Sequence, residues 1–147
     1  LLRFRYAFQK IVDLKTNEKT QAEWILSEAI GKMRQEESYL SELQHTRLEM
    51  QEELHKASET ITTVSNLMML QSFVDHIDGQ IRAKQQDVQQ AKSYVQLKQD
   101  DLNGKMLEEK VWNKAKEKAY HRFTAQMLKK EQEQLDEMAT NRYQRPS

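Results

Sequence analysis

Residues 8–64 read FQKIVDLKTNEKTQAEWILSEAIGKMRQEESYLSELQHTRLEMQEELHKASETITTV. A four-then-three spacing laid from Phe8 falls on Val12, Lys15, Lys19, Ala22, Leu26, Ala29, Met33, Glu36, Leu40, Leu43, Arg47, Met50, Leu54, Ala57, Ile61 and Val64. Counting Phe8, thirteen of these seventeen positions are apolar, and the phase never slips. That repeat marks a coiled-coil seam along one helix. At 1.5 Å per residue such a helix would run roughly 85 Å. Gly31 lies inside it, at a cost of about 1 kcal/mol relative to Ala.

Beyond this stretch the pattern breaks at SETITTVSN, residues 58–66. Clustered Ser, Thr and Asn compete for backbone hydrogen bonds and favour caps over helix interiors. Ser65 or Asn66 is the expected N-cap of a second helix. A second seam then passes through Val74, Ile77, Ile81, Lys84, Val88, Ala91, Val95, Lys98 and Leu102, seven of nine apolar. Past Gly104 the apolar face moves to Trp112, Ala115, Ala119, Phe123 and Met127, a change of supercoil phase.

Two long seams and one short break predict an all-α fold, a long antiparallel two-helix coiled coil or helical hairpin, rod-shaped. The expected boundaries are a helix over about 8–64, a turn over about 65–69 and a helix over about 70–138. A frayed tail would come after it, and residues 1–147 would form a single coiled-coil domain. A turn near residue 68 pairs positions whose numbers sum to about 136. Trp24 would then face Trp112, and Phe8 would lie near Leu128.

Composition supports long elements. Only 37% of residues are hydrophobic and 31% are charged, too thin a supply for a multilayered core. There are three glycines, and the one proline, Pro146, stands next to the last residue, which leaves little material for turns. No cysteine occurs, which favours a reducing compartment. Neither a signal-peptide pattern nor a run of about 20 apolar residues is present, so a cytoplasmic protein is expected.

The formal net charge is zero, which weakens the case for nucleic acid. Its distribution is uneven. Residues 1–35 are net +3, residues 36–104 net −6 and residues 105–147 net +3. A hairpin would gather +6 at the termini and −6 toward the turn. Such asymmetry is either incidental to a solvated surface or a means of addressing two different partners.

Chemistry is not visible in the residues. A two-helix rod has no interior for a water-excluded catalytic pocket, and the glycines form no phosphate loop. His45 with Glu49 and His55 with Glu59 sit at i, i+4, but two ligands on an exposed face hold zinc weakly. Asp75, His76 and Asp78 point in divergent directions on a helix. Residues 105–130 interleave lysines with Trp112, Tyr120 and Phe123, a combination that can bind single-stranded nucleic acid. Here the aromatics fall at core spacing, and seam packing is the favoured reading. Leu67, Met68, Met69, Leu70, Phe73 and Ile77 form an apolar cluster too large for one partner helix to bury. It is expected to dock a protein, with self-association or packing under the turn as the plainer account.

The opening FRYAFQKIVDLKTNEKTQAE, residues 4–23, resembles the start of the FliJ family of flagellar export proteins in its Bacillus-like form. The matching residues are the aromatics Phe4, Tyr6 and Phe8, then Gln9, Lys10, Ile11, Val12 and Leu14, and the run Lys15, Glu18, Lys19. LQSFVDHIDGQI, residues 70–81, is similar to a second family segment, departing from it at Leu70 and Ser72. The resemblance implies a non-catalytic stalk or coupling protein of the flagellar type III export apparatus, without cofactor or small-molecule substrate. Its implied partners are the export ATPase hexamer, the cytoplasmic domain of the membrane export gate and substrate-specific export chaperones. It would be cytoplasmic, peripherally associated with the inner face of the membrane. The resemblance implies ATPase binding through Lys10, Lys15 and Lys19, and gate binding through Phe73, Ile77 and Leu43. Lys15 and Lys19 occupy seam positions, which suits a seam open to a partner or simple snorkelling of their stems. The rival readings are a generic coiled-coil scaffold, a stalk of a virulence-type III secretion system, and a helical protein that binds nucleic acid through its basic end.

Overall fold

Good helix formers dominate the chain, and its described residues contain no proline, so nothing interrupts a helix once begun. The computed structural model, which describes residues 3–144, contains two helices: α1, Gln9–Glu59, and α2, Val64–Gln144. They span 51 and 81 residues, and no strand occurs among the described residues. The two helices pack against each other antiparallel, as the paired seams require. Every seam position from Val12 to Ala57 on α1 is buried or half-buried, and so is every one from Val74 to Leu102 on α2.

The break lies at residues 60–63, earlier than the 65–69 expected from the sequence. Thr63, rather than Ser65 or Asn66, caps α2. Its Oγ1 accepts the Asn66 backbone N–H at 3.1 Å, and the Asn66 amide donates to Thr62 Oγ1 at 3.0 Å. At the end of α1 the hydroxyls of Ser58 and Thr60 donate to the carbonyls of His55 and Ala57. Ile61 and Val64, the last two positions of the first seam, consequently stand 107% and 72% exposed at the turn. α2 also continues past residue 138 to Gln144. The remainder of the expected tail, with Pro146, lies outside the described residues.

The earlier turn resets the register. The numbers of the residues paired by cross-helix ion pairs sum to between 120 and 128. Phe8 therefore meets Trp112 at 5.9 Å between ring centroids, and Leu128 is exposed. Trp24, expected to face Trp112, is 69% exposed.

The chain comprises two compact units, residues 22–102 and residues 1–21 with 103–147. The first has an aliphatic core. Ala22, Leu26 and Leu102 cluster with Ile30 and Val95, and Ala29, Val74, Ile77, Ile81 and Val88 are buried too. In the second, Val12 is the one fully buried hydrophobic among the described residues. Aromatic rings and ion pairs fill the seam there instead.

Candidate protein-binding surfaces

Three of the aromatics that open the chain are spent on packing. Phe4 sits edge-on to Tyr120 at 5.3 Å and tilted against Phe123 at 5.5 Å, while Tyr6 meets Phe8 and Phe8 meets Trp112. Edge-to-face pairs at these separations are favourable beyond the area they bury. Trp112, Tyr120 and Phe123 are thus occupied by protein rings, in line with the seam reading over nucleic-acid stacking.

Next along the same unit comes a ladder of charges. Lys15 Nζ donates to Glu108 at 3.1 Å and lies 3.5 Å from Glu18, whose Oε2 is also 3.7 Å from Lys105. One turn on, Lys19 Nζ donates to Glu109 at 3.0 Å. The bond from Lys15 holds the Glu108 carboxyl below its ordinary range, and the Glu109 carboxyl is lowered by its bonds from Lys19 and Thr16. Bonding to Glu108 raises Lys15 in turn. The expected ATPase-binding lysines are therefore divided: Lys15 and Lys19 are half-buried and engaged across the seam, whereas Lys10 is exposed. The same logic holds in the other unit. Glu36 accepts from Lys84 at 2.8 Å, and Arg47 pairs with Asp78. Each charged position in the first seam is answered by an opposite charge on α2. Lys98, in the second seam, lies over the Tyr94 ring at 5.3 Å.

Glu108 and Glu109 were not singled out from the sequence, and Asp78 was weighed only beside Asp75 and His76, not as a partner of the seam. A signal for them existed: of the possible hairpin registers, this one sets all four charged positions of the first seam against opposite charges. The turn position assumed from the Ser/Thr/Asn cluster concealed it.

The expected gate-binding residues separate as well. Phe73 is 47% exposed, Leu43 is half-buried on α1, and Ile77 is only 2% exposed, inside the seam. Around Phe73, the apolar cluster expected near the turn is open to solvent: Met69 one turn before it and Met68 are 64% and 66% exposed. Leu67 and Leu70 are half-buried beneath. Phe73 and Met69, at i, i+4, share one face of α2.

The units differ in charge. Residues 22–102 carry eight Lys/Arg against fourteen Asp/Glu, net −6. Residues 1–21 and 103–147 carry fifteen against nine, net +6. No cluster of three or more His, Asp or Glu suited to a metal occurs among the described residues, and none of the described helices is long and apolar enough to cross a membrane.

Comparison with known proteins gives a consistent picture. The family model for the flagellar FliJ protein matches residues 4–147. The flagellar FliJ protein of Bacillus subtilis (strain 168) is 22% identical over 142 residues, covering 97% of each chain. Among solved structures, a candidate YscO homologue from Chlamydia trachomatis aligns with a TM-score of 0.52 at 17% identity, over 97% of this chain and 96% of that one. At that identity the likeness concerns the fold alone.

Proposed function

Because the chain belongs to the flagellar FliJ protein family, we propose that it is a non-catalytic coupling stalk of the flagellar type III export apparatus. The observation that carries this reading is the family match over residues 4–147. In this reading the basic unit engages the export ATPase hexamer, and Lys10 is its outward contact. Lys15 and Lys19 act indirectly, by holding α1 and α2 in register behind that contact. The apolar face of Phe73 and Met69 engages the cytoplasmic domain of the export gate, with Ile77 as the packing beneath it. Substrate-specific export chaperones are the third class of partner. The protein then works at the inner face of the membrane. It needs neither cofactor nor small-molecule substrate.

Net charge supports the division of labour, since fields of opposite sign steer different partners. Co-elution of the purified export ATPase hexamer with this protein on gel filtration tests the reading. Binding that weakens for Lys10→Glu, in a variant of unchanged helicity, supports it. Absence of co-elution leaves a coiled-coil scaffold with another partner.

A further inference from the structure

From Leu128 to Tyr143 every residue of α2 is exposed. This overhang is not uniformly polar. Leu128, Leu135 and Met138 are 66%, 60% and 56% exposed, and with Glu131 and Arg142 they recur at a three-then-four spacing. Such a spacing makes a single stripe along the helix. At 3.6 residues per turn its members lie between about 20° and 100° around the helix from Met127, the last position of the inner seam. Nothing among the described residues covers it. Glu131 and Arg142 have no ionic partner among the described residues.

We infer that this stripe pairs with the same stripe of a second copy of the chain, antiparallel. In an antiparallel pair of identical helices, Leu135 of one copy can face Met138 of the other. That register sets Glu131 against Arg142, and symmetry repeats both contacts. A parallel, in-register pair would set Glu131 on Glu131 and Arg142 on Arg142, which like-charge repulsion disfavours. The device is the one the molecule uses internally, where Lys15, Lys19, Glu36 and Arg47 are each met by an opposite charge across the seam. The contact is short, so the dimer is weak and reversible. It covers the overhang, and a paired chain is therefore a reserve form whose overhang is closed to other partners. The inference needs only this chain and is independent of the export-ATPase reading.

Sedimentation equilibrium of the full chain tests it. The wild type is expected to follow a monomer–dimer equilibrium. Glu131→Arg and Arg142→Glu, each alone and of unchanged helicity, should raise the dissociation constant about tenfold, since each turns two facing pairs repulsive. An equimolar mixture of the two variants should associate like wild type, because the heterodimer restores both opposite-charge pairs. A wild type that stays monomeric up to millimolar concentration would overturn the inference and leave the stripe to a different partner. A mixture that associates no better than either variant would overturn it as well.

Discussion

Single side chains hold the register of this protein through cross-seam ion pairs, and pH reads them out. Glu108 and Glu109 titrate below the ordinary carboxylate value of 4.5, so their ionised forms favour the folded state. That contribution is complete above 4.5 and disappears as pH falls through the lowered folded values. Lys15 and Lys84 titrate above 10.5, raised chiefly by bonds to Glu108 and Glu36. Their contribution is complete below 10.5 and is lost as pH rises through the raised values. The thermal midpoint should accordingly decline below about pH 4.5 and above about pH 10.5, with a plateau between. Glu108→Gln should shrink the acid decline in circular-dichroism melts; an unchanged acid limb would contradict the ladder. Glycine offers a second residue-level test. A methyl group added at Gly31 or Gly104 meets nothing within 4 Å, and both positions are helical. Gly31→Ala and Gly104→Ala should each stabilise by about 1 kcal/mol in denaturant titrations.

The helices themselves were largely legible in the sequence, and their junction was not. Seam positions could be read because burial on one face imposes the heptad period directly, and those from Val12 to Ala57 are all covered. The junction was obscured because residues 58–66 offer six Ser, Thr or Asn side chains, any of which can cap. Local chemistry cannot choose among them. Cross-helix pairing can, and it selects Thr63, which sets the true register. Thr63→Ala should cost about 1 kcal/mol, whereas Ser65→Ala should cost a few tenths. Equal losses would contradict the observed cap. Legibility of the candidate sites was similarly partial. Family resemblance drew attention to Phe73 and Ile77 together, but one is half-exposed and the other sits in the seam. Ile77→Ala should destabilise by about 2–5 kcal/mol. Phe73→Ala should change stability much less while weakening binding to the gate's cytoplasmic domain. Should Phe73→Ala unfold the protein, or leave gate binding intact, that assignment is wrong.

Across the whole chain, a neutral protein contains one unit of net +6 and one of net −6, and each is stabilised in its own way. The acidic unit relies on an aliphatic core, the basic unit on rings and ion pairs. Family membership supplies the setting of flagellar export, and the proposed function assigns partner binding to Lys10 in one unit and to the Phe73 face in the other. The central claim is that the basic unit couples to the export ATPase. The most direct test is the steady-state ATPase rate of the purified hexamer during titration with this protein. The account predicts a saturable rise in rate that Lys10→Glu diminishes and Phe73→Ala leaves intact. A rate that stays flat across the titration, with no co-elution of the two proteins, would contradict it.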